Sequence, residues 1–167
     1  NVAGSISFDF LKALALRDIA SELAKAGRFD DALNVARSIY DDRFKTSALR
    51  DIASELAKVG QTQKALQIFD KALNVAGSIY GNYYKAEALR DIASELAKAG
   101  QFNKALNAAG SIYDNSSKAW ALSKIASELA KAGQTQKALQ IFDKAVNAAG
   151  SITRDYSKAS ALRDIAV

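Results

Sequence analysis

Residues 88–100 read A-L-R-D-I-A-S-E-L-A-K-A-G, and versions of this block begin at Ala15, Ala48, Ala88, Ala121 and Ala161. The copy at Ala121 has S-K where the others have R-D, and the copy at Ala161 ends in Ile165-Ala166-Val167. The steps from Ala15 to Ala48, Ala88, Ala121 and Ala161 are 33, 40, 33 and 40 residues, so two unit lengths alternate within a super-repeat of 73. Such periods mark arrays in which each unit buries its apolar face against its neighbours. Within the block, Leu89, Ile92, Ala93 and Leu96 recur at helical spacing, which predicts an amphipathic helix.

The longer units carry an extra Q-I-F-D-K-A-L, Gln67–Leu73 in one copy, ahead of the shared N-V-A-G-S-I. Seven residues are close to two helical turns, and the insertion keeps the apolar face in phase within about 20°. Every second unit is therefore expected to have a second helix two turns longer. The first helix of each unit is expected to be N-capped by Asp9, Asp42, Asn82, Asn115 or Asp155, to run about 17 residues and to end at Gly27, Gly60, Gly100 or Gly133. The second helix starts near Asp30, Gln63, Asn103 and Gln136 and buries residues such as Ala65, Leu66, Phe69, Ala72 and Leu73. A linker of two or three residues makes the pair antiparallel. A further glycine column, Gly4, Gly77, Gly110 and Gly150, also admits Arg37, so it is expected to keep ordinary helical angles and to serve close packing.

The expected fold is all-α, an α-solenoid of antiparallel helix–turn–helix repeats. Its units cover about 8–40, 41–80, 81–113 and 114–153, with 1–7 as the end of a preceding second helix and 154–167 as the start of a further first helix. The repeats broken at both ends, and a chain without Met, point to a piece of a longer array.

Composition narrows the chemistry. The 167 residues are 49% hydrophobic and 25% charged, which excludes disorder, and they include no Cys, His, Met or Pro. Disulfides, thiol nucleophiles, imidazole bases and the usual zinc ligand sets are thereby excluded. No cofactor or metal site is expected. No apolar run approaches the roughly 20 residues that span a bilayer. Absence of Cys is in keeping with a reducing, cytoplasmic compartment. The net charge of +5 is spread among mixed signs, unlike a polybasic tail.

The repeat resembles the tetratricopeptide repeat, a 34-residue helix–turn–helix unit. The turn glycine matches in four copies, as does the small residue opening the second helix, at Ala32, Ala65, Ala105 and Ala138. Phe69 and Phe142 match the following aromatic, and Ala72 and Ala145 the next small residue. Phe29 and Phe102 match the aromatic after the turn glycine, where Thr62 and Thr135 depart from it. Leu49 and Leu89 replace the family's Trp, Ala53 and Ala93 its first-helix Gly, Leu56 and Leu96 its Tyr, and the closing Pro is absent. The resemblance implies a right-handed superhelix whose first helices line a concave groove for an extended peptide.

On a helical wheel, Arg, Ser and Lys form one stripe at i, i+4 and i+8, along columns that face the groove in that family. The stripe comprises Arg17, Ser21 and Lys25; Arg50, Ser54 and Lys58; Arg90, Ser94 and Lys98; then Ser123, Ser127 and Lys131, with Arg163 beginning another. Stacked, these make a cationic, hydroxyl-bearing channel suited to an acidic peptide or a C-terminal carboxylate. The competing account has each Arg pair with the Asp of a neighbouring first helix, as an inter-repeat ladder without a ligand. In one unit Ser123-Lys124 replaces Arg-Asp, and the single Trp, Trp120, shares its helix with Lys118, Lys124 and Lys131. A Trp beside Lys and Ser is either a partner anchor or packing for the next helix pair.

The carboxylate pairs Asp18/Glu22, Asp51/Glu55 and Asp91/Glu95 are read as a solvated face laced with Lys, not as acid–base machinery. Tyr40, Tyr80 and Tyr113, with Phe44, Tyr83, Tyr84 and Tyr156, are expected to fill gaps between repeats. The expected function is a non-catalytic protein-interaction scaffold. The alternatives are single-stranded nucleic-acid binding by a pentatricopeptide-like array, with basic residues and aromatics stacking bases, or a spacer that self-associates end to end.

Overall fold

The computed structural model describes residues 2–152 and 158, with side chains from residue 8 onward. Among the described residues eight helices follow one another: α1 Val2–Lys25, α2 Phe29–Arg37, α3 Asp42–Lys58, α4 Thr62–Ser78, α5 Asn82–Lys98, α6 Phe102–Gly110, α7 Asn115–Lys131 and α8 Thr135–Gly150. No strand occurs among the described residues. The fold is an all-α repeat of the solenoid class. The expected cap at Asp155, Tyr156 and the stripe residue Arg163 lie outside the described residues.

The chain divides into two compact units, Asn1–Ile79 and Tyr80–Val167. Each contains one pair with a short second helix and one pair with a long one. In the first, α1 packs on α2 and α3, and α3 packs on α4; in the second, α5 packs on α6 and α7, and α7 on α8. The second helices α2 and α6 have 9 residues each, against 17 in α4 and 16 in α8. The extra seven residues therefore extend a helix, as the phase argument requires. Helices α3, α5 and α7 each have 17 residues.

The turns inside each pair follow from glycine. Gly27, Gly60, Gly100 and Gly133 have φ between 73° and 76°, the left-handed conformation that lets the chain reverse. The next N–H closes back on the helix, as in Gln61 N to Leu56 O at 2.9 Å. The late-helix column behaves differently. Gly77, Gly110 and Gly150 keep ordinary helical angles, as expected, but a methyl group on any of them meets no atom within 4 Å. Close packing is therefore not what these glycines provide.

The first-helix caps lie one residue earlier than expected. Asp41 accepts from the N–H groups of Arg43 and Phe44, and Asp114 from Ser117 N at 2.7 Å, while Gly81 occupies the same column with φ 93°. Asp42, Asn82 and Asn115 are first helical residues instead. The cap column explains α1 as well. Its residue there is Phe8, which has no acceptor, and the helix runs unbroken from Val2 through Asp9 to Lys25. Asp9 is thus inside a helix and is no cap.

The core is made of small and branched residues. Ile52, Ala53, Leu56, Ile92, Ala93, Leu96, Ile125, Ala126 and Phe69 are almost wholly buried. In α4 the buried set is Ala65, Ile68, Phe69, Ala72 and Ala76, with Leu66 and Leu73 only half-buried. The tyrosine column does not fill gaps. Tyr40, Tyr80 and Tyr113 are at least 90% exposed, and the preceding Ile39, Ile79 and Ile112 are buried in their place. Phe44 does pack inside its unit, edge-on to Phe10 at 5.2 Å.

Two stability predictions follow from these turns and caps. Gly60→Ala should cost about 1–2 kcal/mol through its left-handed angle, whereas Gly77→Ala should stabilise by about 0.5–1 kcal/mol. Urea unfolding of both variants checks the opposite signs. The Asp41 carboxyl is held below its ordinary value of 3.8, first by its hydrogen bond to the Arg43 side chain and then by backbone N–H groups and the Arg43 charge. Its contribution is present above that value and is lost as pH falls through the lower folded value. Asp41→Asn should therefore flatten the acid limb of the stability profile below about pH 4, measured by thermal unfolding across pH.

Candidate interaction faces on the first helices

The Arg-Ser-Lys stripe lies along the first helices, and its charges are mostly neutralised at short range. Arg17 pairs with Asp18 at 2.9 Å, Arg50 with Asp51 at 2.6 Å and Arg90 with Asp91 at 2.9 Å. Each of these is a neighbour on the same helix. The lysines follow the same logic one turn on. Lys25, Lys58, Lys98 and Lys131 reach Glu22, Glu55, Glu95 and Glu128 at 2.6–2.7 Å. Such exposed i, i+3 pairs are screened by water and add little to stability. The Asp/Glu pairs flagged in the sequence are thus the anionic half of this lacework. No group of three metal-ligating side chains occurs among the described residues.

Within the first unit, the link between neighbouring first helices is made by serine. Ser21 on α1 is 8% exposed and donates its hydroxyl to Asp51 Oδ2 on α3 at 2.6 Å. Arg50 donates to the other oxygen of the same carboxylate through Nε at 2.9 Å. Asp51 therefore joins its own helix to the preceding first helix, α1. Lys25 belongs to the same cluster. Its ammonium is held above its ordinary value first by the hydrogen bond to Glu22 and by Glu22's charge, with weaker help from Asp51 and Glu55 on α3.

The second unit departs from this plan at α7. Ser123 and Lys124 stand where Arg-Asp stands elsewhere, so the column that accepts from Ser21 in the first unit holds a cation opposite Ser94. Ser94 and Ser123 are buried, at 7% and 3% exposure, and do not line an open channel. Ser127 turns back on its own helix, donating to Ser123 O at 3.0 Å. Two cations, Arg90 and Lys124, meet an aromatic ring. The Arg90 guanidinium carbon lies 5.0 Å from the Trp120 ring centroid and Lys124 Nζ lies 5.4 Å from it. Trp120 is half-buried, on α7, and Arg90 reaches it from α5. A ring flanked by two cations is stabilised through its quadrupole by about 0.5–1 kcal/mol per contact.

Trp120, Lys124 and Arg90 are thus brought together, with Glu87 3.7 Å from Arg90 as a fringe carboxylate. The sequence pattern places Arg90 in the stripe with the other arginines but does not show its contact with Trp120. The signal was the column itself, which holds Leu14, Ser47, Glu87 and Ser160 elsewhere and so has no other aromatic.

Comparisons with known proteins agree with this architecture. Residues 46–118 match the tetratricopeptide repeat family, and these residues run from α3 into α7. The crystal structure of Ton1535 from Thermococcus onnurineus NA1 superposes with a TM-score of 0.60 over 92% of this chain and 49% of that one, at 22% identity. The chain therefore spans about half the length of that protein and shares its fold. No curated protein matches the chain. Residues 46–118 are thus similar to tetratricopeptide repeats, and the chain has an all-α helical-repeat fold. Repeats of this kind generally mediate protein–protein interaction and are in general non-catalytic scaffolds. No helix among the described residues is long and apolar enough to cross a membrane.

Ser21→Ala should lower stability by about 1–2 kcal/mol, because it removes a charge-assisted hydrogen bond between helices. Ser94→Ala, opposite a lysine, should cost clearly less. Denaturant midpoints of the two variants decide between these roles.

Proposed function

We propose that the chain is a non-catalytic interaction scaffold whose α5/α7 face docks an acidic peptide segment, with Trp120 and Lys124 as its anchor. One observation carries this. Lys124 replaces the carboxylate found at Asp18, Asp51 and Asp91, and no ion pair engages it among the described residues. The other stripe cations each lie within reach of a carboxylate, so an incoming acidic group gains most at Lys124. The half-buried indole beside it supplies apolar area and a ring N–H, a combination that anchors partners well. Lys131, one turn or two further along α7, extends the cationic side of the same helix, although Glu128 already pairs with it. The stripes Arg17/Ser21/Lys25 and Arg50/Ser54/Lys58 serve chiefly as internal ties in this account, with Lys58 and Lys98 at the margins of the docking faces.

Trp120 is the only tryptophan, so its emission reports on this face alone. Titration with an acidic peptide, followed by that emission, should saturate. Lys124→Glu with Lys131→Glu should weaken binding by about tenfold or more while leaving helicity unchanged. Undiminished binding by the double variant overturns the assignment. Steep salt dependence with an oligonucleotide, and none with the peptide, would move the face to nucleic acid.

A further inference from the structure

The two units differ at one contact between first helices. In the first unit a hydroxyl on α1 and a cation on α3 share a carboxylate. Ser21 donates to Asp51 Oδ2 at 2.6 Å, and Arg50 donates to Oδ1 through Nε at 2.9 Å. One super-repeat further along, the same three positions hold Ser94 on α5, then Ser123 and Lys124 on α7. Helix α5 packs on α7 as α1 packs on α3. A hydroxyl on one helix and a cation on the next are therefore kept, with the cation moved by one residue. The carboxylate between them is gone.

Ser94 is left as a donor without an acceptor. It is 7% exposed, and its hydroxyl makes no hydrogen bond among the described residues. It does not turn back on its own helix, as Ser127 does on Ser123 O at 3.0 Å. Nor is it sealed in. The fully enclosed side-chain polar atoms without a partner, among the described residues, are Arg17 Nε and Thr46 Oγ1, so Ser94 Oγ keeps a path to solvent. The first unit shows how a carboxylate fits such a place. Ser21 is 8% exposed with Asp51 bonded to it, while the Asp51 side chain keeps 28% of its surface in water. A carboxylate seated at the rim thus reaches a nearly buried serine. On the cationic side, Lys124 meets the Trp120 ring but no carboxylate among the described residues.

Resting on the acidic-peptide reading above, we infer that an Asp or Glu side chain of the docked segment takes the place that Asp51 holds in the first unit. It accepts from Ser94 Oγ and pairs with Lys124, and so ties α5 to α7 on binding. The first unit carries its tie built in, and the second has its tie completed by the partner. A charge-assisted hydrogen bond from a nearly buried hydroxyl is directional, so Ser94 fixes where along the segment the carboxylate must fall. The ammonium alone, on a flexible stem, sets no such register.

The probe is a hexa-aspartate peptide capped at both ends, which offers side-chain carboxylates and no terminal one, with capped hexa-asparagine as control. Trp120 emission should saturate with the first and stay flat with the second. Ser94→Ala should weaken binding by about tenfold, with helicity retained. A second measurement needs no ligand. Lys124→Asp restores the residue found at Asp18, Asp51 and Asp91, and should raise the urea midpoint above that of Lys124→Ala while abolishing peptide binding. Adding Ser94→Ala to both variants should remove the difference between their midpoints. Peptide binding that Ser94→Ala leaves unchanged overturns this inference and leaves the docking face standing. No binding by the unaltered chain overturns both. A midpoint no higher for Lys124→Asp than for Lys124→Ala, or a difference that survives Ser94→Ala, means that the seam seats no carboxylate on Ser94 and also overturns the inference.

Discussion

Methyl groups set the distance between helices in this chain, and the rest of the structure depends on that distance. Ala20, Ala53, Ala93 and Ala126 on the first helices are completely buried, and Ala32, Ala65, Ala105 and Ala138 on the second helices are at most 2% exposed. Small side chains at the contact let helix axes approach toward the lower end of their usual range. Ile52, Leu56, Ile92, Leu96, Ile125 and Leu129 then close over those contacts from the flanks. Any larger residue in the alanine columns would push a pair apart and expose the flanking Ile and Leu. The same constraint leaves polar residues little choice. They occupy the remaining face of each helix, where neighbours one turn away become partners.

That arrangement accounts for the electrostatics. A regular lattice of Arg–Asp and Lys–Glu pairs leaves small net fields on most first-helix faces, and a field arises wherever a copy loses one of its carboxylates. One such place occurs in the second unit. At α7 the substitution of Asp by Lys124 frees a cation beside Trp120. Repetition of a backbone with local edits in charge changes one face of one copy while the helix packing is kept.

Much of this was legible in the sequence, and what was not has definite physical causes. The sequence by itself determined the helical period, the glycine turns at Gly27, Gly60, Gly100 and Gly133 and the two-turn difference between second helices, all properties of the local chain. Where two residues of similar type were adjacent, local chemistry could not choose. Asp41 and Asp42 can both cap, and only the path of the chain into α3 selected Asp41. Tyr40 and Ile39 are both large and apolar, and only the packing of neighbouring helices drew the isoleucine inward and left the tyrosine in water. Gly77 looks like a packing glycine until the empty space around it is seen. The pairing of polar groups was decided by tertiary structure most of all. Ser21 reaches Asp51 and Arg90 covers Trp120 because helices distant in sequence lie side by side, and the strength of such contacts depends on ångström distances that no periodicity encodes.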